Sequence, residues 1–227
     1  ALRPVTAENV METTVRAQYV RGRVDEEVAA DYLSDVDVEE SQTEAFVAVH
    51  TEIENWRWSG VPIYIRTGKR MAQRRSEIII QFRPVPHSIF PSDTHIRPNR
   101  LVIRLQPDEA VTLWMEIKEP GAGGLRLKTL PLNLSYADSF AARYPDAYER
   151  LLLDVVRGIL SLFLRRDEVV AAWRGVDGII DAWDATDQRL SLYPSGTDGP
   201  DAARFMLEQA GDSWSDPHDN WSKRDRA

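Results

Sequence analysis

"RLVIRLQPDEAVTLWMEIK", residues 100–118, sets two apolar runs of period two on either side of a short, proline-bearing break. In the first, Leu101, Ile103 and Leu105 alternate with Arg104 and Gln106. In the second, Val111, Leu113, Met115 and Ile117 alternate with Trp114 and Glu116. Successive side chains of a strand point to opposite faces, so each run predicts a strand with one apolar face. The break is too short for a helical crossover, which makes the pair antiparallel. The same signature continues outward in "EIIIQFRPV" (77–85) and "GLRLKTLPLNLSY" (124–136), with proline- and glycine-bearing turns between the runs. Together they predict an antiparallel sheet.

Toward the N-terminus, "TTVRAQYVRG" (13–22) alternates Val15, Ala17 and Tyr19 against Arg16 and Gln18 and ends at Gly22. "TEAFVAVHTEIENW" (43–56) fits strand through Phe46, Ala48 and His50 and helix through Val49, Ile53 and Trp56; we read it as strand. Between them, the acidic stretch 25–41 reads as a solvated connection. Carboxylates spaced like Asp35, Asp37 and Glu39 are compatible in principle with a cation, but no site is assigned there. "IYIRTG" (63–68) predicts a short strand.

The last third turns helical. "PDAYERLLLDVVRGILSLFL" opens with Asp146 three residues before Glu149, a capping-box-like start. It then lines up Tyr148, Leu152, Val155, Ile159 and Leu162 or Phe163 as an expected core stripe. Trp173, Val176, Ile180 and Trp183 follow at helical spacing, with the tryptophans expected as packing anchors. Gly196 and Gly199 precede a short last helix, where a plain cap is the simplest account. Strands followed by helices indicate the α+β class, a large, predominantly antiparallel sheet packed against helices.

Composition narrows the function classes. The 227 residues are 43% hydrophobic, enough for a full core, and carry a formal net charge of -8 with no cysteine. Disulfides and thiolate zinc sites are therefore excluded, and a reducing, cytoplasmic setting is expected. The four histidines (50, 87, 95 and 218) show no metal-binding spacing, so no metal site is expected. The acidic balance argues against a nucleic-acid partner. No apolar run reaches the roughly 18 residues of a membrane span, and "ALRPVTAENV" has no signal-peptide core. It begins without methionine and in mid-pattern, as the edge of a longer chain would.

A self-sufficient active site is missing from the motifs: there is no nucleophile elbow, phosphate-binding P-loop or GxGxxG turn. "PGAGG" (120–124) lies between strands and reads as a tight turn. What stands out is "IRTGKRMAQRR" (65–75), where Arg66, Lys69, Arg70, Arg74 and Arg75 fall in ten consecutive positions of an acidic chain. Gly68 permits a sharp turn after the strand, and Lys69 and Arg74 bracket a loop long enough to close around an anion such as a small-molecule phosphate. A solvated basic loop accounts for the spacing equally well.

The segments "TVRAQY", "ENWRWSGVPIYIRTGKRM", "EIIIQFRPVPHSIF", "NRLVIRLQPDEAV" and "DAYERLLLDV", in order and at matching intervals, resemble the C-terminal domain of the glucose-6-phosphate dehydrogenase family over about residues 2–215. The resemblance implies a domain spanning 1–215, with 216–227 as a flexible tail, and an N-terminal Rossmann domain absent from this chain. That missing domain would hold NAD or NADP and the histidine base, leaving this chain with no catalytic residue, no coenzyme site of its own and no activity alone. The implied reaction oxidises glucose 6-phosphate to 6-phosphogluconolactone, with this domain forming one wall of the substrate pocket. The implied partners are the sugar phosphate, weakly bound here, and a second copy, paired through the sheet.

The family's sugar-phosphate contacts map onto Lys69 and onto Arg74, where many bacterial members have lysine; Gln106 matches a third contact. A second, structural NADP site known in some members has basic positions at Arg66, Arg75 and Arg104. Ile79, Thr112 and Trp114 depart from its pattern, so no such site is expected. The alternative is a noncatalytic dimerisation or scaffold role.

Overall fold

A computed structural model describes residues 2–87, 96–107, 109–121, 126–135, 147–212 and 214. The chain divides into two compact units: residues 1–72 with 161–227, and residues 73–160.

In the first unit a one-turn helix α1 (Val10–Thr13) leads into β1 (Thr14–Val20). A small ribbon follows, made of β2 (Gly22–Val24) and β3 (Glu27–Ala29), then the short helix α2 (Tyr32–Val36), β4 (Phe46–Glu52) and β5 (Pro62–Gly68). After the second unit the chain returns with α4 (Arg166–Asp184), β10 (Ser191–Pro194) and α5 (Asp201–Glu208). The sheet order is β10-β1-β4-β5, antiparallel except where β10 runs parallel to β1 and sets Tyr193 beside Tyr19.

Of its strands β1, β4 and β5 fall where the alternation put them, the ambiguous segment after Thr43 being strand, whereas β10 carries no strand expectation from the sequence. Arg16 and Gln18 are nevertheless buried, because a sheet covered on both faces hides its polar side as well. Both find partners in the loop before β4. The Gln18 amide donates to the carbonyls of Ser41 (3.0 Å) and Thr43 (2.7 Å), and Arg16 donates to the Gln42 carbonyl and pairs with Glu44. The core joins Ala17, Tyr19, Phe46, Ala48, Tyr193 and Ala203. A second cluster packs Val10 against Ala182 and Trp183, whose indole N–H donates to the Thr14 hydroxyl at 2.9 Å.

The second unit holds β6 (Ser76–Gln81), β7 (Arg100–Gln106), β8 (Ala110–Lys118), β9 (Leu127–Ser135) and the helix α3 (Ala147–Arg157). Its sheet is antiparallel in the order β6-β7-β8-β9. Register pairs Leu101 with Leu113 and Ile103 with Val111, while Leu132 and Leu134 extend the same rows onto β9, so the alternating residues share one apolar face. The strand-rich region is thus shared between two four-stranded sheets, within the α+β class.

Two expectations need correction. The stripe from Tyr148 onward is not core: α3 stops at Arg157, and Tyr148, Leu152 and Val155 are exposed. Gly158 ends it at φ +70°, with its N–H bonded to the Val155 carbonyl and the Ile159 N–H to the Asp154 carbonyl, a Schellman stop that leaves Ile159, Leu162 and Phe163 beyond the helix. Of the second stripe only Trp183 anchors packing, while Trp173 is 62% exposed. Helical periodicity reports a shared face; it does not report what covers that face.

Among the described residues no helix is long and apolar enough to cross a membrane, and no group of histidine, aspartate and glutamate side chains is arranged to hold a metal ion. Residues 216–227, Asp146 of the expected cap and residues 122–124 of the glycine turn lie outside the described residues.

Candidate functional site

The basic cluster starts on β5 and runs through the connection to β6. Three of its five cations are engaged. Arg66 donates to the Asp198 carbonyl (3.3 Å) and lies 4.8 Å from the centre of the Trp214 ring. Arg70 pairs with Asp35 at 2.8 Å, and Arg75 with Glu77 at 3.2 Å. The side chains of Lys69 and Arg74 have no ion-pair or hydrogen-bond partner among the described residues, and both residues are exposed. A cation left unmatched in an otherwise acidic chain keeps its field available for an anion.

The backbone of this turn is tied down. Gly68 ends β5 opposite Phe46, and a Cβ there would come within 2.7 Å of the Phe46 ring, so the position requires glycine. The Lys69 N–H donates to the Ala45 carbonyl (2.9 Å), and the Lys69 carbonyl accepts from the Tyr193 hydroxyl (2.6 Å). Arg70 is left-handed at φ +51°, and its carbonyl accepts from the Gly196 N–H at 2.7 Å. Two residues further on, the Ala72 N–H donates to the Thr197 carbonyl at 2.9 Å.

Asp35 joins this arrangement from α2. One of its carboxylate oxygens accepts from both the Arg70 guanidinium and the Tyr19 hydroxyl, each at 2.8 Å. The Arg70 bond, supported by Tyr19, holds the Asp35 carboxyl below the usual range. Burial, with the Asp35 charge nearby, pushes the Tyr19 phenol up, and burial pushes Tyr193 up to about 12. Both phenols therefore stay protonated, able to donate, at neutral pH. The acidic stretch is accordingly more than a solvated connection. Asp31 caps α2 by accepting from the Ser34 N–H, and Asp35 neutralises one cation of the cluster.

Lys69 belongs to the first unit, whereas Arg74 and Gln106 belong to the second. Within the second unit, Gln106 at the end of β7 pairs with Ser76, which follows closely on Arg74, so these two share one end of the sheet. A bulge between Ser76 and Glu77 shifts the register there. Sequence reasoning missed Tyr193 and Asp35. Neither carries a local signal, since their partners in the turn lie 124 and 35 positions away along the chain.

A concavity of about 770 Å³ in the first unit is lined by Arg16, Glu44, Trp183, Asp184 and Asp187 among others, and by none of the three sequence-predicted residues. Its three carboxylates outnumber its two arginines, Arg16 and Arg189, and Arg16 is already paired with Glu44, a balance that disfavours a phosphate. Of the basic positions named for a structural dinucleotide, Arg66 and Arg75 are already engaged while the buried Arg104 Nε has no partner among the described residues, and Ile79 is exposed and apolar where a basic or aromatic contact is expected.

Comparison with known proteins follows the same line. The family described as glucose-6-phosphate dehydrogenase, C-terminal domain, matches residues 1–215. A glucose-6-phosphate 1-dehydrogenase of Rhizobium meliloti (strain 1021) is 51% identical over 217 residues, covering 95% of this chain and 44% of the relative. One from Mycolicibacterium smegmatis is 53% identical over 215 residues, covering 94% and 43%. A solved structure of glucose-6-phosphate dehydrogenase in complex with its substrate glucose-6-phosphate superposes with a TM-score of 0.81 at 33% identity, covering 95% of this chain and 43% of that one. The chain thus spans less than half the length of the relatives it matches. With strand order, register and the basic turn all on a sequence so similar to theirs, the chain belongs to the family of the glucose-6-phosphate dehydrogenase C-terminal domain.

Proposed function

We propose that this chain forms the sugar-phosphate side and the association surface of a glucose-6-phosphate 1-dehydrogenase. In the whole enzyme glucose 6-phosphate is oxidised at C1 to 6-phosphogluconolactone, and NADP or NAD accepts the hydride. The sequence of this chain carries no GxGxxG turn, so the coenzyme and the base that takes the C1 hydroxyl proton are assigned to the part of the relatives that this chain does not match. Lys69 and Arg74 each contribute a charged contact to the phosphate, and Gln106 a hydrogen bond to the sugar phosphate. They act by binding and orienting the substrate, so that its C1 end is presented for oxidation. A second copy pairs through the antiparallel sheet.

The observation that carries this reading is the agreement between two independent facts. The positions that match the family's phosphate contacts, Lys69 and Arg74, are also the two cations of the cluster whose side chains have no partner among the described residues. The test is kinetic, in the full-length dehydrogenase of which this chain is proposed to be part. Lys69→Ala and Arg74→Ala are each expected to raise the KM for glucose 6-phosphate roughly ten- to hundredfold, the value of one charge-assisted hydrogen bond, with the coenzyme KM unchanged. Unchanged kinetics would instead favour a scaffold that touches no ligand.

A further inference from the structure

Lys69 is exposed, yet the peptide backbone that carries it is held on both sides. Its N–H is bonded to the Ala45 carbonyl and its carbonyl to the Tyr193 hydroxyl at 2.6 Å, the latter reaching up from the core. Tyr193 has no exposed surface; its ring packs edge-on to Tyr19 at 6.4 Å and tilted against Phe46 at 5.5 Å. Next in the chain, Arg70 occupies the left-handed region that residues with a Cβ rarely adopt. Such a conformation persists only where its surroundings over-determine it. Here they do so from two sides, through the Gly196 N–H on its carbonyl and Asp35 on its guanidinium, while Tyr19 holds Asp35 in place.

A surface turn that only has to connect two strands needs none of this. A lysine that must meet an anion gains from it, because with the backbone fixed only the side-chain torsions remain to be ordered on binding. We propose that the turn 69–72 is a positioning device for Lys69, with the buried Tyr193 hydroxyl as its main lock and the Asp35–Arg70 pair as the second. Tyr193 and Asp35 are positioning residues that touch no substrate themselves. The proposal rests on the reading above, in which Lys69 contacts the sugar phosphate.

The test uses the full-length dehydrogenase. Tyr193→Phe keeps the ring in the core and removes only the hydroxyl. It is expected to raise the KM for glucose 6-phosphate roughly three- to tenfold, with kcat and the coenzyme KM unchanged. Added to Lys69→Ala, it is expected to raise KM no further, because a residue acting through Lys69 has nothing left to position. An unchanged KM in Tyr193→Phe, or an equal rise with and without the Lys69 side chain, overturns the proposal. If Lys69→Ala itself leaves KM unchanged, the phosphate contact fails and the positioning role falls with it. If Lys69→Ala raises KM and Tyr193→Phe does not, only the positioning role fails. Should Tyr193→Phe not yield folded enzyme, Asp35→Asn on the surface releases the second lock. A rise of roughly twofold or more that vanishes in the Lys69→Ala background supports the proposal, and no rise overturns it.

Discussion

Gly196 shows how closely the first unit is fitted around the basic turn. Its φ is +86°, and a Cβ placed there would lie 1.7 Å from the Arg23 carbonyl oxygen, which is backbone and cannot swing away. Its N–H is also the donor that holds the Arg70 carbonyl. Gly196→Ala is expected to cost at least about 2 kcal/mol through strain and displacement together, read as a lowered thermal midpoint. From the sequence Gly196 reads only as part of a helix cap, because its neighbour in space, Arg23, is remote in the chain. The same limit applies across the site. Lys69 and Arg74 are legible as members of a charge cluster and through family likeness, whereas the partners that neutralise Arg70 and fix Lys69 come from α2 and β10 and leave no mark near the cluster.

At the scale of elements, the second sheet presents Ile78, Ile103, Leu113, Leu132 and Leu134 on one face through its cross-strand register. Leu132 is 67% exposed and Leu134 51%. Apolar rows left open in this way suit a second copy of the same surface, and a twofold pairing is self-complementary by construction. On the proposed pairing, Leu132→Asp is expected to lower the association of the full-length protein, as measured by sedimentation or light scattering, since a carboxylate buried without a partner opposes association. The strands behind this face were readable residue by residue from the alternation of 100–118, because period two fixes both the element and its faces. The helices were only half readable. Gly158 stops α3 before the expected stripe is complete, and the exposed flanks of α3 and α4 carry helical spacing without a covering layer in this chain.

For the whole molecule, the energetics of binding set a limit. Two charge-assisted hydrogen bonds of about 1.5–3 kcal/mol each, less the cost of immobilising a ligand, correspond to millimolar affinity or weaker. Titration calorimetry of this chain alone with glucose 6-phosphate is expected to show no saturation below about millimolar concentrations, and a micromolar Kd would mean that a complete sugar-phosphate site lies within these 227 residues. The architecture also bears on how the protein is made. A ribosome releases residues in one direction, but the first unit is assembled from both ends of the chain, with β10 closing against β1 only after everything between them has been synthesised. Until Pro194 has left the exit tunnel, β1 is a nascent strand with one bare edge, awaiting a tyrosine that has yet to emerge from the ribosome.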